Sequence, residues 1–311
     1  MYRLKALFLM LVAFGTGLGF GQGATDVQSG AAGTSFTQNP HTLSFAPSPA
    51  TRLNAPSTLD HVKHLQFRQA TPTRAGSKAV MSIRMSSQTT LPATLPYDVA
   101  NPQDEPRLGS CAQNFIDFSQ MLVADMFLTN TGVWALYERL PFVRTADHVY
   151  AAFTFLKRVA DRKPGEENLL QIKYDKSANT LEWWVDGALK LKVDRIGYKP
   201  HPALGMVVGL DLGGAEEEIR LDALQAGFGC FTLLDFSDPT GRGRDGLLNL
   251  NPTSSGLQRD EVYFFPKTFQ VDTRTNASAI GDASWRLFGQ GTSMTVSHIK
   301  VAYETTQRLD P

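Results

Sequence analysis

The chain is short of cysteine, of long apolar runs and of clustered positive charge, and each shortage narrows what it can be. Only two of its 311 residues are cysteine, Cys111 and Cys230. Two cannot staple a disulfide-rich scaffold, and without histidines beside them they make a poor metal site. Lys+Arg and Asp+Glu each number 30, for a formal charge of zero. No basic run exceeds a pair or triplet, which argues against nucleic acid or an anionic membrane surface as partner, since both need clustered Lys and Arg. Catalytic signatures are missing as well: there is no G-x-S-x-G, no Cys-His arrangement and no H-E-x-x-H. The glycine-rich GRGRDG at 241–246 does not open a helix after a strand, so it is no phosphate loop. Long helical periodicity is absent apart from a short stretch at 113–121.

What is present begins with the N-terminus. Arg3 and Lys5 precede an acid-free apolar stretch from Ala6 to Phe20, followed by small residues at Gly21, Gly23 and Ala24. This is the layout of a secretory signal peptide over residues 1–23, and the glycine-interrupted run is shorter than the roughly 20 residues of a membrane span. Cleavage would leave 28 basic and 30 acidic residues, in a secreted or periplasmic protein with no later segment apolar enough to cross a bilayer. In an oxidising compartment Cys111 and Cys230 can form a disulfide, worth about 4–5 kcal/mol by chain entropy, or remain as two buried thiols. Asn276-Ala277-Ser278 is a glycosylation sequon, with meaning in a eukaryote.

Residues 24–40 are rich in Gly, Ala, Ser, Thr and Gln with little to bury, which reads as a flexible leader. From residue 41 to 305 short segments rich in Val, Ile, Phe, Tyr and Leu alternate with Gly, Pro, Asn and Asp. Those at 61–68, 79–85, 120–128, 133–140, 149–156, 168–174, 181–185 and 189–194 are followed by others at 205–211, 218–224, 230–234, 261–265 and 292–303. The pattern predicts an all-β, two-sheet antiparallel sandwich as one domain, with a tail at 306–311.

The stretch LEWWVDGALKLKVD at 181–194 is the clearest local signal, because Asp186-Gly187 is a strong hairpin turn. A two-residue loop sets Val185 opposite Ala188 and Trp184 opposite Leu189. A three-residue loop sets Trp183 opposite Leu191 and Leu181 opposite Val193, and pairs Glu182 with Lys192 and Trp184 with Lys190. A one-residue slip exchanges the faces, and the second register separates apolar from polar more cleanly. It makes Trp183 the core residue and Trp184 a half-exposed one.

Candidate chemistry is sparse. In VWALYERLP at 133–141, Trp134, Leu136 and Glu138 share one strand face, and Tyr137 and Arg139 the other. A Glu beside a Trp on a strand can bind or protonate a sugar, though more often it is a satisfied charge. The Glu-x-Asp-x-x-Glu run that some jelly-roll glucanases carry is missing. Its nearest imitation, Glu216 to Asp222, reads equally well as an alternating polar edge. His61 and His64 point oppositely on a strand, Asp147-His148 has no nucleophile to serve, and Asp235, Asp238 and Asp245 fit no calcium-loop spacing. No metal and no cofactor is expected.

Several segments resemble a family of bacterial and fungal proteins classed as a domain of unknown function: DHVKHLQF (60–67), LTNTGVWALYERLPF (128–142), VYAAFTF (149–155), YDKSANTLEWWVDGALKLKVDRIGY (174–198), GCFTLLDF (229–236) and RLFGQGT (286–292). The strand–Val-Asp-Gly–strand element is similar to hairpins of laminin-G and concanavalin A-like domains. The resemblance implies a concanavalin A-like jelly-roll sandwich and brings no catalytic residues with it. The leading expectation is a carbohydrate-binding module of that kind, in which Trp134 and Trp184 stack on sugar faces beside Tyr137, Glu138, Arg139, Lys190 and His64. The alternatives are a glycoside hydrolase or polysaccharide lyase using Glu138 with Asp125, and a structural surface protein without a small-molecule site.

Overall fold

The computed structural model describes residues 26–29, 34–38, 43–47, 62–67, 69–91, 101–106, 108–231 and 291–306. Its strands form two sheets. Sheet one runs, edge to edge, through β1 (Asp26–Ser29), β4 (Val62–Gln66), β15 (Ala223–Phe231), β7 (Ser110–Asp117), β8 (Leu122–Leu128), β9 (Gly132–Arg139), β10 (Phe153–Asp161) and β14 (Val207–Asp211), with β5 (Thr71–Pro72) also paired to β15. Sheet two runs through β13 (Ala188–Asp194), β12 (Thr180–Val185), β11 (Glu167–Asp175), β6 (Ser77–Thr90), β16 (Gly291–Thr305), β3 (Leu43–Pro47) and β2 (Thr34–Gln38). Neighbouring strands pair antiparallel throughout. The chain crosses between the sheets repeatedly, for instance from β6 to β7, β10 to β11, β13 to β14 and β15 to β16. This is the all-β, two-sheet antiparallel jelly-roll sandwich expected. Among the described residues no helix is long and apolar enough to cross a membrane.

Alternation builds the core. Met81, Ile83 and Met85 of β6, Leu170, Ile172 and Tyr174 of β11, and Leu181, Trp183 and Val185 of β12 turn inward from sheet two. They meet Phe115, Ala124, Met126, Ala135, Tyr137 and Phe153 of sheet one. Sheet one is also covered on its outer side, where Ala112, Val123, Phe127, Leu136, Leu140 and Leu156 form a second buried cluster. Burial on both faces explains why β8 reads as the near-continuous apolar run LVADMFL, every residue of which is buried. Asp125 is the one polar residue in that run.

The WW hairpin uses both loop registers. At the turn Val185 faces Ala188 and Trp184 faces Leu189, and a bulge between Trp183 and Trp184 then restores Trp183↔Leu191, Glu182↔Lys192 and Leu181↔Val193. Asp186 and Gly187, at φ 50° and 80°, give the left-handed pair of a two-residue turn. The bulge leaves Lys190 without the expected place opposite Trp184. Trp183 is fully buried and donates its Nε1 hydrogen across the sandwich to the Asp125 carbonyl at 3.0 Å. Trp184 is half-buried on the outside of sheet two, donates to Glu182 at 3.0 Å and has the Lys173 ammonium 4.6 Å from its ring centroid. Lys173, not Lys190, therefore supplies its cation–π contact.

Three other expectations change. The 113–121 stretch, with its hint of helical spacing, mostly falls in strand β7, paired on both sides. Residues 216–222 lie outside any strand, and their charges are paired individually, Glu218 by Arg220 at 3.4 Å and Asp222 by Lys176 at 2.8 Å. Residues 24–40, expected as a flexible leader, contribute β1 and β2 to the two sheets. The stretch expected as a signal peptide, His61, the aspartates of 235–245, the strand expected at 261–265 and the sequon at Asn276 lie outside the described residues.

Candidate functional site

The outer face of sheet one carries three adjacent cross-strand rows. Because Phe115, Phe228 and Met126 point inward, their strand neighbours point out. The middle row runs Gln66–Gly227–Asn114–Asp125–Leu136–Leu156. On one side lies Gly229–Ala112–Phe127–Trp134–Arg158, and on the other Gln225–Ile116–Val123–Glu138–Thr154. Gly227, Gly229 and Ala112 together contribute little side-chain bulk of their own to this part of the face. It is flanked by amides on two sides and by Phe127 and Trp134 on a third.

The polar atoms of the middle row are incompletely matched. Gln66, Asn114 and Asp125 are 3%, 3% and 6% exposed. Yet Gln66 Nε2, Asn114 Oδ1 and Asp125 Oδ1 have no hydrogen-bond partner. A buried polar atom left in this state costs about 1–3 kcal/mol, a cost that a hydrogen-bonding group brought to it relieves. Burial pushes the Asp125 carboxyl well above the usual carboxylate range, with a hydrogen bond from Asn114 opposing and the Glu138 charge adding to the rise. Glu138, 2% exposed, accepts from Thr154 Oγ1 at 2.6 Å. Asp125 and Glu138 are diagonal neighbours on facing strands, a relation that sets Cα atoms about 7–8 Å apart.

The residues expected at a sugar site divide between several places. Asp125, Glu138 and Trp134 do share one face. Trp134 is partly exposed, its indole donating to Asp104 Oδ1 at 3.1 Å while Asp104 Oδ2 takes Arg158 Nε at 2.6 Å. His64 occupies the β4 position opposite Gly229, at the end of the Trp134 row, and its side chain lies outside the described residues. Tyr137 instead points into the core with no exposure, its hydroxyl accepting from Gly197 N at 2.8 Å and donating to the Tyr198 carbonyl at 3.2 Å. Arg139 is likewise buried, stacked 3.9 Å over the Tyr150 ring and paired to Glu217 at 2.7 Å. His148 bridges that same Glu217 at 2.9 Å, and the hydrogen bond from His148 is the largest of the effects that hold the Glu217 carboxyl below its ordinary range. Trp184 and Lys190 belong to sheet two, away from the Trp134 face. Tyr137, Arg139, Trp184 and Lys190 are thus not parts of one site with Glu138.

Gln66, Asn114 and the two glycines were not singled out from the sequence. Their signal was present in Gly227-Phe228-Gly229, a small–large–small alternation, and in Gln113-Asn114, two amides inside a strand. Only the pairing of β4, β15 and β7, far apart in the chain, sets them side by side. Among the described residues there is no group of three or more His, Cys, Asp or Glu that could hold a metal ion. Cys111 and Cys230 are thiols in this structure.

Comparison with known proteins gives a family and little more. The profile of the family described as "Family of unknown function (DUF6081)" matches residues 18–305. A curated relative, Uncharacterized protein L829 of Acanthamoeba polyphaga mimivirus, is 27% identical over a match covering 58% of this chain and 55% of its own length. The chain thus spans about half of that relative. Among solved structures, the apo Crh5 transglycosylase aligns with TM-score 0.42 and 11% identity over 93% of this chain and 81% of that one. The legume lectin-like domain from Entamoeba histolytica aligns with TM-score 0.39 and 9% identity over 91% of each. At these scores the likeness does not extend to activity.

Proposed function

The chain belongs to this family of unknown function, and we propose that it is an exported, glycan-binding β-sandwich whose ligand lies on the outer face of sheet one. The observation that carries this reading is the row Gln66–Gly227–Asn114–Asp125, with one donor and two acceptor atoms buried and unmatched. A hydroxyl both donates and accepts, so a single sugar hydroxyl above Gly227 can take a hydrogen bond from Gln66 Nε2 and give one to Asn114 Oδ1. Trp134, the partly exposed aromatic of the next row, supplies the apolar surface on which a pyranose ring packs.

The test is a glycan array probed with wild type, Gly227→Leu and Trp184→Ala. Gly227→Leu sets a side chain over this part of the face and abolishes retention, while Trp184→Ala, on the other sheet, leaves it unchanged. Retention that survives Gly227→Leu and disappears with Trp184→Ala overturns the assignment.

Cleavage of the bound glycan is a second reading, favoured by the placing of Asp125, whose carboxyl burial pushes upward, diagonally beside Glu138. Asp125 would give its proton to the leaving glycosidic oxygen, and Glu138 would take one from the attacking water. Reducing-end release by wild type, lost in Asp125→Asn with binding retained, is the expected result. Binding without release by the wild type leaves a lectin-type module only.

A further inference from the structure

We propose that Cys111 and Cys230 form a cross-strand disulfide that locks β7 to β15. The two are direct register partners in that antiparallel pair. Their side chains turn to the same side, into the core between the sheets, at 0% and 2% exposure. Directly opposed residues in an antiparallel pair have Cα atoms about 4.5 or 5.5 Å apart according to their place in the ladder. Both spacings lie within the roughly 4.4–6.8 Å that a disulfide spans, so closing the bond asks little of the backbone. These are the only cysteines in the chain, so no other intramolecular pairing competes.

The chemistry is an exchange with the disulfide of a thiol oxidant in the exporting compartment. Both thiols lose their protons, one S–S bond forms, and the oxidant's S–S bond is reduced to two thiols by the electron pair released. Since the core shields both sulfurs once the sheets have packed, the bond is made during folding, while β7 and β15 are pairing. It also ties together the strands that carry Asn114 and Gly227, and it stands or falls independently of any glycan reading.

The full chain, exported into an oxidising compartment, is denatured without reductant in the presence of N-ethylmaleimide and weighed. The expected result is no label before reduction and two labels after it, with one protease-released peptide pair holding both cysteines until reduced. Two labels on the unreduced chain, or a disulfide joining two chains on a non-reducing gel, overturns the proposal. As a second measurement, the oxidised protein should melt about 10 °C above its reduced form, and Cys111→Ser should melt with the reduced form. Equal melting of oxidised and reduced wild type contradicts the lock.

Discussion

Replacing each of the adjacent tryptophans by phenylalanine should give unequal losses of stability, because the strand sends them to opposite faces. Trp183→Phe deletes the indole hydrogen bond to the Asp125 carbonyl and leaves a gap in the layer between Tyr137 and Leu191. The Tyr137 ring sits 6.4 Å away at 82°, an edge contact that the smaller ring keeps only in part. Losing that buried hydrogen bond costs about 0.5–1.5 kcal/mol, and the cavity left by the smaller ring adds about 1–2 kcal/mol, for a total of about 1.5–3.5 kcal/mol. Trp184→Phe loses a partly exposed bond to Glu182 and weakens the Lys173 contact, together worth about 0.5–1 kcal/mol. Urea titration of both variants, followed by circular dichroism with the m-values compared, measures the difference. Trp184→Phe costing as much as Trp183→Phe would refute the assignment of core and surface.

Three further outcomes rest on the same structure. Since burial raises the Asp125 carboxyl, its contribution to stability is full below the unfolded value near pH 4 and is lost as pH rises through the folded value. Asp125→Asn should therefore match wild type near pH 4 and exceed it at pH 8, by about 1.4 kcal/mol per unit of separation, in urea midpoints measured across that range; a gap that widens towards acid contradicts the burial argument. Gly187→Ala should cost about 1 kcal/mol by thermal or chemical unfolding, because φ is 80° there and no atom lies within 4 Å of an added Cβ, so the loss is conformational alone. Gln66→Ala should leave stability level or slightly higher while weakening retention of any glycan that wild type holds, read as paired melting and array data; a drop in stability of several kcal/mol would show that the amide serves the fold.

The fold was legible because its signals are local. Alternation along 133–140 set Trp134, Leu136 and Glu138 apart from Tyr137 and Arg139, as found, and Asp186-Gly187 announced the hairpin. The two proposed loop registers were both half right, since a bulge at Trp183/Trp184 lets the turn follow one and the strand follow the other. Pattern analysis weighs uniform registers and does not anticipate an extra residue. The site was less legible for a different reason. Sequence distance hides that residues 66, 114, 125 and 227 form one row, and periodicity cannot separate an outward strand face that is covered from one that is wet. Arg139 illustrates the same limit: a charged residue in an exposed-looking pattern is buried because Tyr150 and Glu217 arrive from later segments.

A crystal structure with a saccharide selected on the array tests the central claim most directly. The account predicts a sugar hydroxyl between Gln66 Nε2 and Asn114 Oδ1, above Gly227, with the ring towards Trp134. A saccharide seated instead on sheet two at Trp184 and Lys190, with only water at Gln66 and Asn114, would contradict it.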